Sequence, residues 1–166
     1  MRKFSDKSPT AQDLEFLQAA IGLAAEHLRA REGGPFGAVI ARGGKIIARG
    51  WNKVTSANDP TAHAEMTAIR AAAAALGSFQ LRGCVLYSSC EPCPMCLGAA
   101  YWARVERIMF AASRSDAAAA GFDDEEIYRE LARPLAARKL PMQQALREEA
   151  AEVLAEWGRM PGRVLY

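Results

Sequence analysis

The sequence predicts a single-domain α/β protein in which a mixed sheet packs against helices. Three observations support this class. The chain has 166 residues, a length that suits one domain. Apolar residues make up 51% of it and charged residues 24%, which is the balance of a globular protein. Helical and strand patterns follow one another in the order αββαβαβ, so an antiparallel hairpin and later parallel strands belong to one mixed sheet.

The first half of the chain is predicted to hold a helix, a hairpin and a second helix. Residues 8–31 begin with a Ser-Pro-Thr capping cluster and carry apolar residues at helical spacing. Residues 36–41 and 45–48 are short β-rich runs on either side of a Gly-Gly pair, a pattern typical of a hairpin. A polar loop spans residues 52–60, and strong helix formers predict a helix over residues 61–77.

The middle of the chain is predicted to alternate strands and helices. Residues 84–87 have the composition of a buried strand, and a proline in the first turn suits a helix over about residues 94–103. Residues 107–111 are another short apolar strand. Beyond them, residues 117–120 indicate a helical turn and residues 124–132 a short helix.

The C-terminal part of the chain is predicted to add a last strand and a last helix. Residues 141–146 are a candidate fifth strand. Apolar residues recur on one face of the segment 146–157, which predicts a terminal helix. No internal repeat and no flexible linker is visible, so we expect one domain over residues 1–166.

Composition and charge exclude several classes of protein. The net charge is only +2, which does not by itself indicate a nucleic-acid partner. The predicted terminal helix carries four glutamates within residues 148–156, and these argue against docking of RNA there. No apolar run is long enough to span a membrane, and residues 1–16 lack the pattern of a secretory signal. We therefore expect a cytoplasmic protein with no membrane partner.

Two short motifs carry the strongest chemical signal in the sequence. His63 and Glu65 lie at one predicted helix start, and Cys93 and Cys96 lie at another. One imidazole and two thiolates suit Zn²⁺, and residues three apart on a helix share a face. Three protein ligands leave the fourth tetrahedral position for water, which is typical of a catalytic zinc site. Glu65 lies two residues from His63 and can move the proton of such a water without being a ligand.

Other cysteine and histidine residues leave alternatives open. Cys90 lies three residues before Cys93, and as a fourth ligand it would make the site closed and structural. Two prolines frame Cys93 and Cys96 as a helix start, which places Cys90 on the preceding loop and favours the open site. Cys84 is predicted to be a core residue of an apolar strand. His27 is predicted to be a surface or core histidine of the first helix and not a ligand.

The combination His-x-Glu with Pro-Cys-x-x-Cys is the signature of zinc-dependent nucleobase deaminases. Over most of residues 14–130 the chain resembles the cytidine deaminase-like superfamily and, within it, the bacterial guanine deaminases. The matching segments are residues 33–40, 58–65, 89–98 and 116–124. The first three are shared in part with the tRNA adenosine deaminases. The Gly-Gly-Pro-Phe entry at residues 33–36 and Gly-Phe-Asp-Asp at residues 121–124 point to the guanine branch.

This resemblance implies a three-layer α/β/α cytidine deaminase-like fold with a five-stranded mixed sheet. It implies one Zn²⁺ per chain, held by His63, Cys93 and Cys96. It also implies a hydrolase of purine metabolism that converts guanine to xanthine and ammonia. In that scheme, hydroxide activated by zinc adds to C2 of the base and Glu65 acts as the proton shuttle. Zinc lowers the pKa of bound water to about 7, which makes the nucleophile available at neutral pH.

The resemblance also assigns residues to the substrate pocket. Phe36 matches a position that lines the base pocket, and an aromatic face suits a flat purine. Asn52 matches a position whose amide binds the base edge, with both a donor and an acceptor to offer. The backbone N–H of Ala64, at a helix start, is expected to help hold the reacting group. Asp124 matches a catalytic carboxylate near the leaving amine, and its acidic neighbours in sequence are alternatives there. Those neighbours are Asp123 and Glu125.

Relatives in this family form homodimers in which the C-terminal segment crosses to the partner. The resemblance implies the same for residues 141–166, with Tyr166 closing the partner's nucleobase site. Alternatives for the activity are a related amine substrate, such as guanosine, cytosine or the aminotriazine ammeline, and tRNA adenosine deamination. A zinc-stabilised domain without activity is a further alternative, and it requires a closed site that includes Cys90.

Overall fold

A computed structural model describes residues 8–166, and this part of the chain divides into two compact units, residues 8–128 and 129–166. The absence of a secretory signal is a prediction from residues 1–16, and residues 1–7 of that segment lie outside the described residues. The helices and strands that begin in the first unit are α1 (Ala11–Arg29), β1 (Gly37–Arg42), β2 (Lys45–Trp51), α2 (Val54–Ala57), α3 (Ala64–Leu76), β3 (Cys84–Cys90), α4 (Pro94–Trp102), β4 (Arg107–Ala112), α5 (Arg114–Ala119) and α6 (Asp124–Ala132). The second unit contains a short 3₁₀ turn (Leu135–Ala137) and helix α7 (Arg147–Arg159).

The first unit is built on a mixed four-stranded sheet with the order β2-β1-β3-β4. β1 pairs antiparallel with β2 and with β3, whereas β3 and β4 are parallel, so the hairpin and the mixed sheet are confirmed. The prediction of a fifth strand is wrong for the described part of the chain, because residues 141–146 form no strand and are exposed throughout. Pro141 has no N–H to donate to a ladder, and the two glutamines that follow give the segment no continuous apolar row to bury.

Several boundaries differ from those predicted. β3 continues to Cys90, which pairs with Ala112 of β4, so Cys90 ends a strand and does not lie on a loop. The polar loop of residues 52–60 contains the short helix α2. α1 ends two residues early, and α5 is a full helix that begins with a capping box between Ser113 and Asp116.

Helices cover both faces of the sheet, which gives the predicted three-layer α/β/α arrangement. On the side of α1, Val39, Ala41 and Tyr87 form a buried cluster. On the side of α3 and α4, a larger cluster includes Ile40 and Leu86. Successive residues of a strand point to opposite faces, so β1 and β3 contribute to both clusters.

A glycine in β2 allows α3 to lie very close to the sheet. A Cβ atom at Gly50 would be 2.3 Å from the carbonyl oxygen of Ala64 and 2.4 Å from Oγ1 of Thr67. Any side chain at residue 50 would therefore push the first turn of α3 away from β2. Because this turn carries Glu65 and directly follows His63, the close approach at Gly50 determines where both residues lie.

The strand directions bring several chain segments to one end of the sheet. β2, β3 and β4 run in the same direction, so their carboxyl ends meet, and β1 runs the opposite way and begins there. Residues 52–63 follow β2, residues 91–96 follow β3, and residues 113–124 follow β4. Ligands of open α/β sheets bind in the crevice at the carboxyl ends of the strands. The fold therefore places a candidate site at this end.

On the face of the sheet that packs against α1, the buried carboxylate of Asp13 joins this helix to β3 and β4. Asp13 is 4% exposed, and it accepts hydrogen bonds from the hydroxyl of Tyr87 at 2.6 Å, from the guanidinium of Arg107 and from the backbone N–H of Thr10. Burial by itself would raise the pKa of Asp13, but the hydrogen bonds and the charge of Arg107 outweigh burial and lower the pKa below its usual range. Stability that depends on such a carboxylate is present above the unfolded-state pKa of about 3.9 and is lost as the pH falls through the folded-state pKa.

We expect Asp13→Asn to lower the free energy of unfolding at pH 7 by about 1–3 kcal/mol, because the hydrogen bonds from Tyr87 and Thr10 lose their charged acceptor. The variant should also lose less stability than the wild type between pH 5 and pH 3, since it has no carboxylate to protonate at residue 13. Urea unfolding followed by circular dichroism at several pH values measures both effects. Glu15→Gln, at an exposed position of the same helix, is the matched control. An Asp13→Asn protein with the stability and pH dependence of the wild type would contradict this role.

The second unit leaves an apolar helix face exposed. The predicted terminal helix is confirmed as α7. Leu154 is 72% exposed and Val153 is 65% exposed, and Leu146, at the N-cap of α7, is exposed as well. Among residues 8–166, none of the helices combines the length and the apolar character that crossing a bilayer requires.

Candidate active site

His63, Cys93 and Cys96 lie together at the carboxyl end of the sheet. Their possible ligand atoms are all within 4.8 Å of one another, and Nδ1 of His63 is 3.5 Å from Sγ of Cys93. His63 is the N-cap residue of α3, and Cys93 is the N-cap residue of α4. Pro94 suits the first helical position, where no N–H is needed, and Cys96 follows within the same turn. The two helix starts thus bring together the three residues that the sequence motifs predicted.

The two cysteines and the histidine influence one another's protonation. A hydrogen bond from Cys96, together with one from His63, lowers the pKa of Cys93. The hydrogen bond to Cys93, together with burial, raises the pKa of Cys96. The same contact with Cys93 raises the pKa of His63. A lowered pKa at Cys93 favours its thiolate, which is the form in which cysteine binds a metal.

This donor set fits Zn²⁺. Thiolate and imidazole are the ligands that zinc prefers, and three of them leave one tetrahedral position open, as in catalytic zinc sites. The three side chains belong to two rigid helix starts that are packed on the sheet, so the donors are already near one another. The structure therefore supports His63, Cys93 and Cys96 as the metal-binding residues.

The other cysteine and histidine residues have contacts of their own, although Cys90 also lies beside His63 and Cys93 at the site. The thiol of Cys90 donates to the carbonyl oxygen of Ser113 at 3.5 Å, and burial raises the pKa of this thiol to about 11. Cys84 is fully buried in the larger core cluster, as predicted. His27 stacks on the ring of Trp51, with ring centroids 3.8 Å apart. These contacts favour the open three-ligand site over a closed site with four protein ligands.

Glu65 lies beside the metal-binding residues without belonging to them. It is in the first turn of α3 and is 6% exposed. Burial is the main cause that raises the pKa of its carboxyl group, and the negative charge of Cys93 acts in the same direction. A carboxyl group with a raised pKa can take up a proton and release it again near neutral pH. Glu65 therefore has the position and the environment of a general acid–base group.

A cavity of about 200 Å³ opens beside these residues. It is smaller than the roughly 300–1,000 Å³ of pockets for drug-sized ligands, so it suits a single heterocyclic base. Phe36 and Phe122 line it with their rings edge to face and their centroids 4.7 Å apart. Six of the residues predicted from the sequence also line the cavity, namely Phe36, Asn52, His63, Glu65, Cys93 and Asp124.

The amide of Asn52 is held so that only its donor side is available. Its Oδ1 accepts hydrogen bonds from the backbone N–H groups of Gly34 and Val54, both at 3.2 Å. An amide oxygen has two lone pairs, so the free NH₂ group is what remains for a ligand. The neighbouring Gly33 has to be glycine, because a Cβ atom there would be 2.0 Å from the backbone oxygen of Asn52. The sequence predicted that the amide of Asn52 offers a ligand both a donor and an acceptor. In the structure its oxygen is already bonded to two backbone N–H groups, so only the NH₂ donor is available.

The remaining predicted residues lie at three different places. Asp124 is the first residue of α6, and burial is the main cause that raises its pKa, with the charge of Cys93 adding to it. Ala64 is fully buried at the start of α3, where backbone N–H groups have no partner within the helix. Tyr166 belongs to the second unit and is 69% exposed. Its action at a partner's site stays a prediction.

Phe122 and Ser88 are residues of the site that were not predicted from the sequence, and Gly34, Val54, Thr55 and Glu91 also line the cavity without having been predicted. Phe122 precedes Asp124 by two residues in the Gly-Phe-Asp-Asp segment, and that resemblance was the signal that could have identified it. Ser88 donates a hydrogen bond from its hydroxyl to Oε1 of Glu65 at 3.3 Å. The signal for Ser88 in the sequence was weaker, since it is a polar residue at a position where alternation along the strand predicts an apolar one.

Comparison with known proteins identifies the family of this site. Residues 10–112 match the family described as the cytidine and deoxycytidylate deaminase zinc-binding region. The matched range covers more than half of the chain and contains His63, Glu65, Cys93 and Cys96. The metal named in the family description is thus the one that the donor set fits.

Individual relatives extend the likeness over most of the chain. Guanine deaminase of Bacillus subtilis is 52% identical over 151 residues, which cover 91% of this chain and 97% of that protein. A crystal structure of guanine deaminase from Bacillus subtilis matches with a TM-score of 0.89 and 51% identity, covering 92% of this chain and 98% of that one. A solved structure of guanine deaminase from Nitrosomonas europaea matches with a TM-score of 0.64 and 31% identity, covering 90% of this chain and 85% of that one.

A relative with a different named activity matches a shorter part of this chain. The tRNA-specific adenosine deaminase of Aquifex aeolicus is 44% identical over 99 residues, which cover 58% of this chain and 64% of that protein. The likeness to the Bacillus subtilis protein is both higher in identity and longer. It includes the C-terminal third of the chain in large part, since it spans 91% of the residues. The chain therefore belongs to the family of zinc-binding cytidine and deoxycytidylate deaminases and, within it, to the guanine deaminases.

Proposed function

We propose that this protein hydrolyses guanine to xanthine and ammonia at a zinc site. The observation that carries the proposal is the cavity of about 200 Å³ in which the buried carboxyl group of Glu65 lies beside His63 and Cys93. The 52% identity to the guanine deaminase of Bacillus subtilis supports guanine as the substrate. His63, Cys93 and Cys96 hold the zinc, which when bound supplies Lewis-acid activation of water.

Glu65 moves the protons that the reaction requires. Hydrolysis forms a bond between water oxygen and C2 of guanine and breaks the bond between C2 and the exocyclic nitrogen. Both protons of the attacking water therefore have to leave its oxygen, one reaching a ring nitrogen and the other the departing amine. The burial and raised pKa of Glu65 suit a group that accepts and returns a proton within one turnover.

Asn52 and the aromatic pair orient the base. The free NH₂ group of Asn52 donates to an acceptor on the edge of the purine, because its Oδ1 is already occupied by two backbone N–H groups. The rings of Phe36 and Phe122 give the cavity apolar surface that suits a flat base. The backbone N–H of Ala64, at the positive end of α3, helps to hold the reacting group.

Asp124 selects guanine by accepting its N–H groups. Guanine presents N–H donors at N1 and at the exocyclic amine, and a carboxylate is an acceptor for both. Asp124 lines the cavity at the start of α6, and Tyr128 of the same helix anchors that helix by donating to the carbonyl oxygen of Pro92 at 2.8 Å. This anchor holds Asp124 near the metal-binding residues and favours it over Asp123, which is exposed.

We further propose that the protein is a homodimer in which residues 141–166 reach the partner and Tyr166 closes the partner's cavity. Exposed apolar side chains on α7 and on α4 support an interface: Leu154 is 72% exposed, Tyr101 70% and Trp102 61%. Apolar surface of this kind is typical of protein–protein contacts. Sedimentation velocity measures the mass, and a monomer at micromolar concentration would contradict the dimer.

The single-domain organisation and the cytoplasmic location stay predictions.

Ammonia release from a panel of amines tests the proposed function. The zinc-loaded protein is assayed with guanine, guanosine, cytosine, adenine and ammeline, and guanine is expected to react fastest and to give xanthine. Asp124→Asn is expected to lower kcat/KM for guanine by about 10–100-fold with unchanged zinc content, since an amide no longer supplies a charged acceptor. Faster release from another amine would overturn guanine as the substrate. Unchanged kinetics of Asp124→Asn would remove this residue from the site.

A further inference from the structure

Ser88 is a polar residue in a row of apolar positions on β3. Side chains of a strand alternate between its faces, so Cys84, Leu86 and Ser88 point to the same side of the sheet. Cys84 and Leu86 are fully buried in the core cluster beneath α3 and α4. Ser88 is equally buried, with 1% of its surface exposed. A hydroxyl group buried among apolar side chains destabilises the fold unless it finds a hydrogen-bond partner.

The partner of the Ser88 hydroxyl is the proton-transferring carboxyl group. Oγ of Ser88 donates to Oε1 of Glu65 at 3.3 Å. This distance is longer than the typical 2.7–2.8 Å for O–H···O bonds. Hydrogen bonds of catalytic groups are often long in ligand-free sites and shorten in the reacting complex. The two residues come from different elements, so the contact joins α3 to β3 directly at the site.

Ser88 is not one of the three predicted metal-binding residues, so the hydrogen bond from its hydroxyl to Glu65 does not require the metal. The contact therefore gives Glu65 a side-chain donor outside the metal-binding cluster.

We propose that Ser88 is a positioning residue that holds the carboxyl group of Glu65 for proton transfer. This inference rests on the proposed function, because it assigns a part in the same reaction. Ser88 acts through Glu65 and is not itself a catalytic residue, since it is absent from the residues that line the cavity described here. A displacement of about 1 Å in a reacting group can lower a rate by about 100-fold. Loss of the hydroxyl should therefore affect turnover much more than substrate binding.

Kinetics of three variants test this role. Ser88→Ala is expected to lower kcat by about 10-fold or more, with KM within about 3-fold of the wild type and with unchanged zinc content. Ser88→Thr keeps the hydroxyl and is expected to restore most of kcat. Ser89→Ala is the matched control, because Ser89 is buried on the opposite face of the same strand and accepts a hydrogen bond from the backbone N–H of Gly37 instead. Its kcat is expected to stay within about 3-fold of the wild type.

Crystal structures of zinc-loaded wild type and Ser88→Ala give a readout that does not depend on activity. The carboxyl group of Glu65 is expected in one conformer in the wild type and displaced, or in more than one conformer, in Ser88→Ala. An unmoved Glu65, or equal losses of kcat in Ser88→Ala and Ser89→Ala, would overturn the inference. Failure of the proposed function has a different signature. It appears as a wild type that does not convert guanine, whatever the position of Glu65 in the two structures.

Discussion

Glu65→Gln is expected to retain its zinc and to lose most of its turnover of guanine. General acid–base catalysis contributes about 10²–10⁴-fold to a rate, so kcat should fall by a factor in this range. Glutamine has nearly the same size as glutamate, but its amide cannot take up a proton from water or pass one to the leaving amine.

The measurement combines steady-state kinetics with metal analysis of the same sample. Zinc content is expected to be unchanged, because Glu65 lies beside the three metal-binding residues and is not one of them. Thermal stability should also be retained or slightly increased, since the variant removes an ionisable group from a buried position. Glu106→Gln, at an exposed position ahead of β4, is the matched control and should behave as the wild type. Ammonia release by Glu65→Gln at a rate near that of the wild type would refute the proton-transfer role.

Cys93→Ala is expected to abolish stoichiometric zinc binding, and with it the activity. The variant removes one of the two thiolates from a three-ligand site, and the remaining histidine and cysteine hold zinc far less tightly. Metal binding also contributes to folding free energy, so the melting temperature should fall to that of the metal-free wild type or below. Inductively coupled plasma analysis after dialysis measures the zinc content. A calorimetric scan with and without chelator measures the stabilisation.

Cys90→Ser is the matched control and also tests the alternative of a structural site. The thiol of Cys90 is bonded to the carbonyl oxygen of Ser113, and serine can make the same contact. The variant is therefore expected to keep one zinc per chain and most of its activity. If Cys90→Ser emptied the metal site as Cys93→Ala does, the site would have four protein ligands. An open position for water would then be lost, and the hydrolytic mechanism with it.

The clustering of His63, Cys93 and Cys96 beside Glu65 could be predicted because the relevant information is local. A histidine and a glutamate two residues apart, and two cysteines three residues apart behind prolines, lie at helix starts whose geometry is nearly independent of the rest of the fold. The predicted site then required only that the starts of these two helices, α3 and α4, lie close together in the fold. The order of strands and helices was sufficient to predict a mixed sheet, since hairpins are antiparallel and strand–helix–strand units are parallel.

The end of β3 could not be predicted in the same way. Cys90 continues the strand because Ala112 of β4 pairs with it, and that pairing partner is 22 residues away in the chain. Residues 141–146 show the opposite case: an extended pattern that finds no partner strand in the described part of the chain. Strand length depends on a neighbouring strand, so local composition alone gives its limits poorly.

Residue types and their spacing were sufficient to predict the donor set for zinc, the glutamate beside it and the family to which these motifs point. Only the folded chain shows which neighbouring groups restrict those residues. It fixed Asn52 as a donor through the backbone of Gly34 and Val54, and it set the hydroxyl of Ser88 against Glu65. The reason is physical: residue type determines what a group can bind, whereas the groups it actually meets come from segments that only folding brings together.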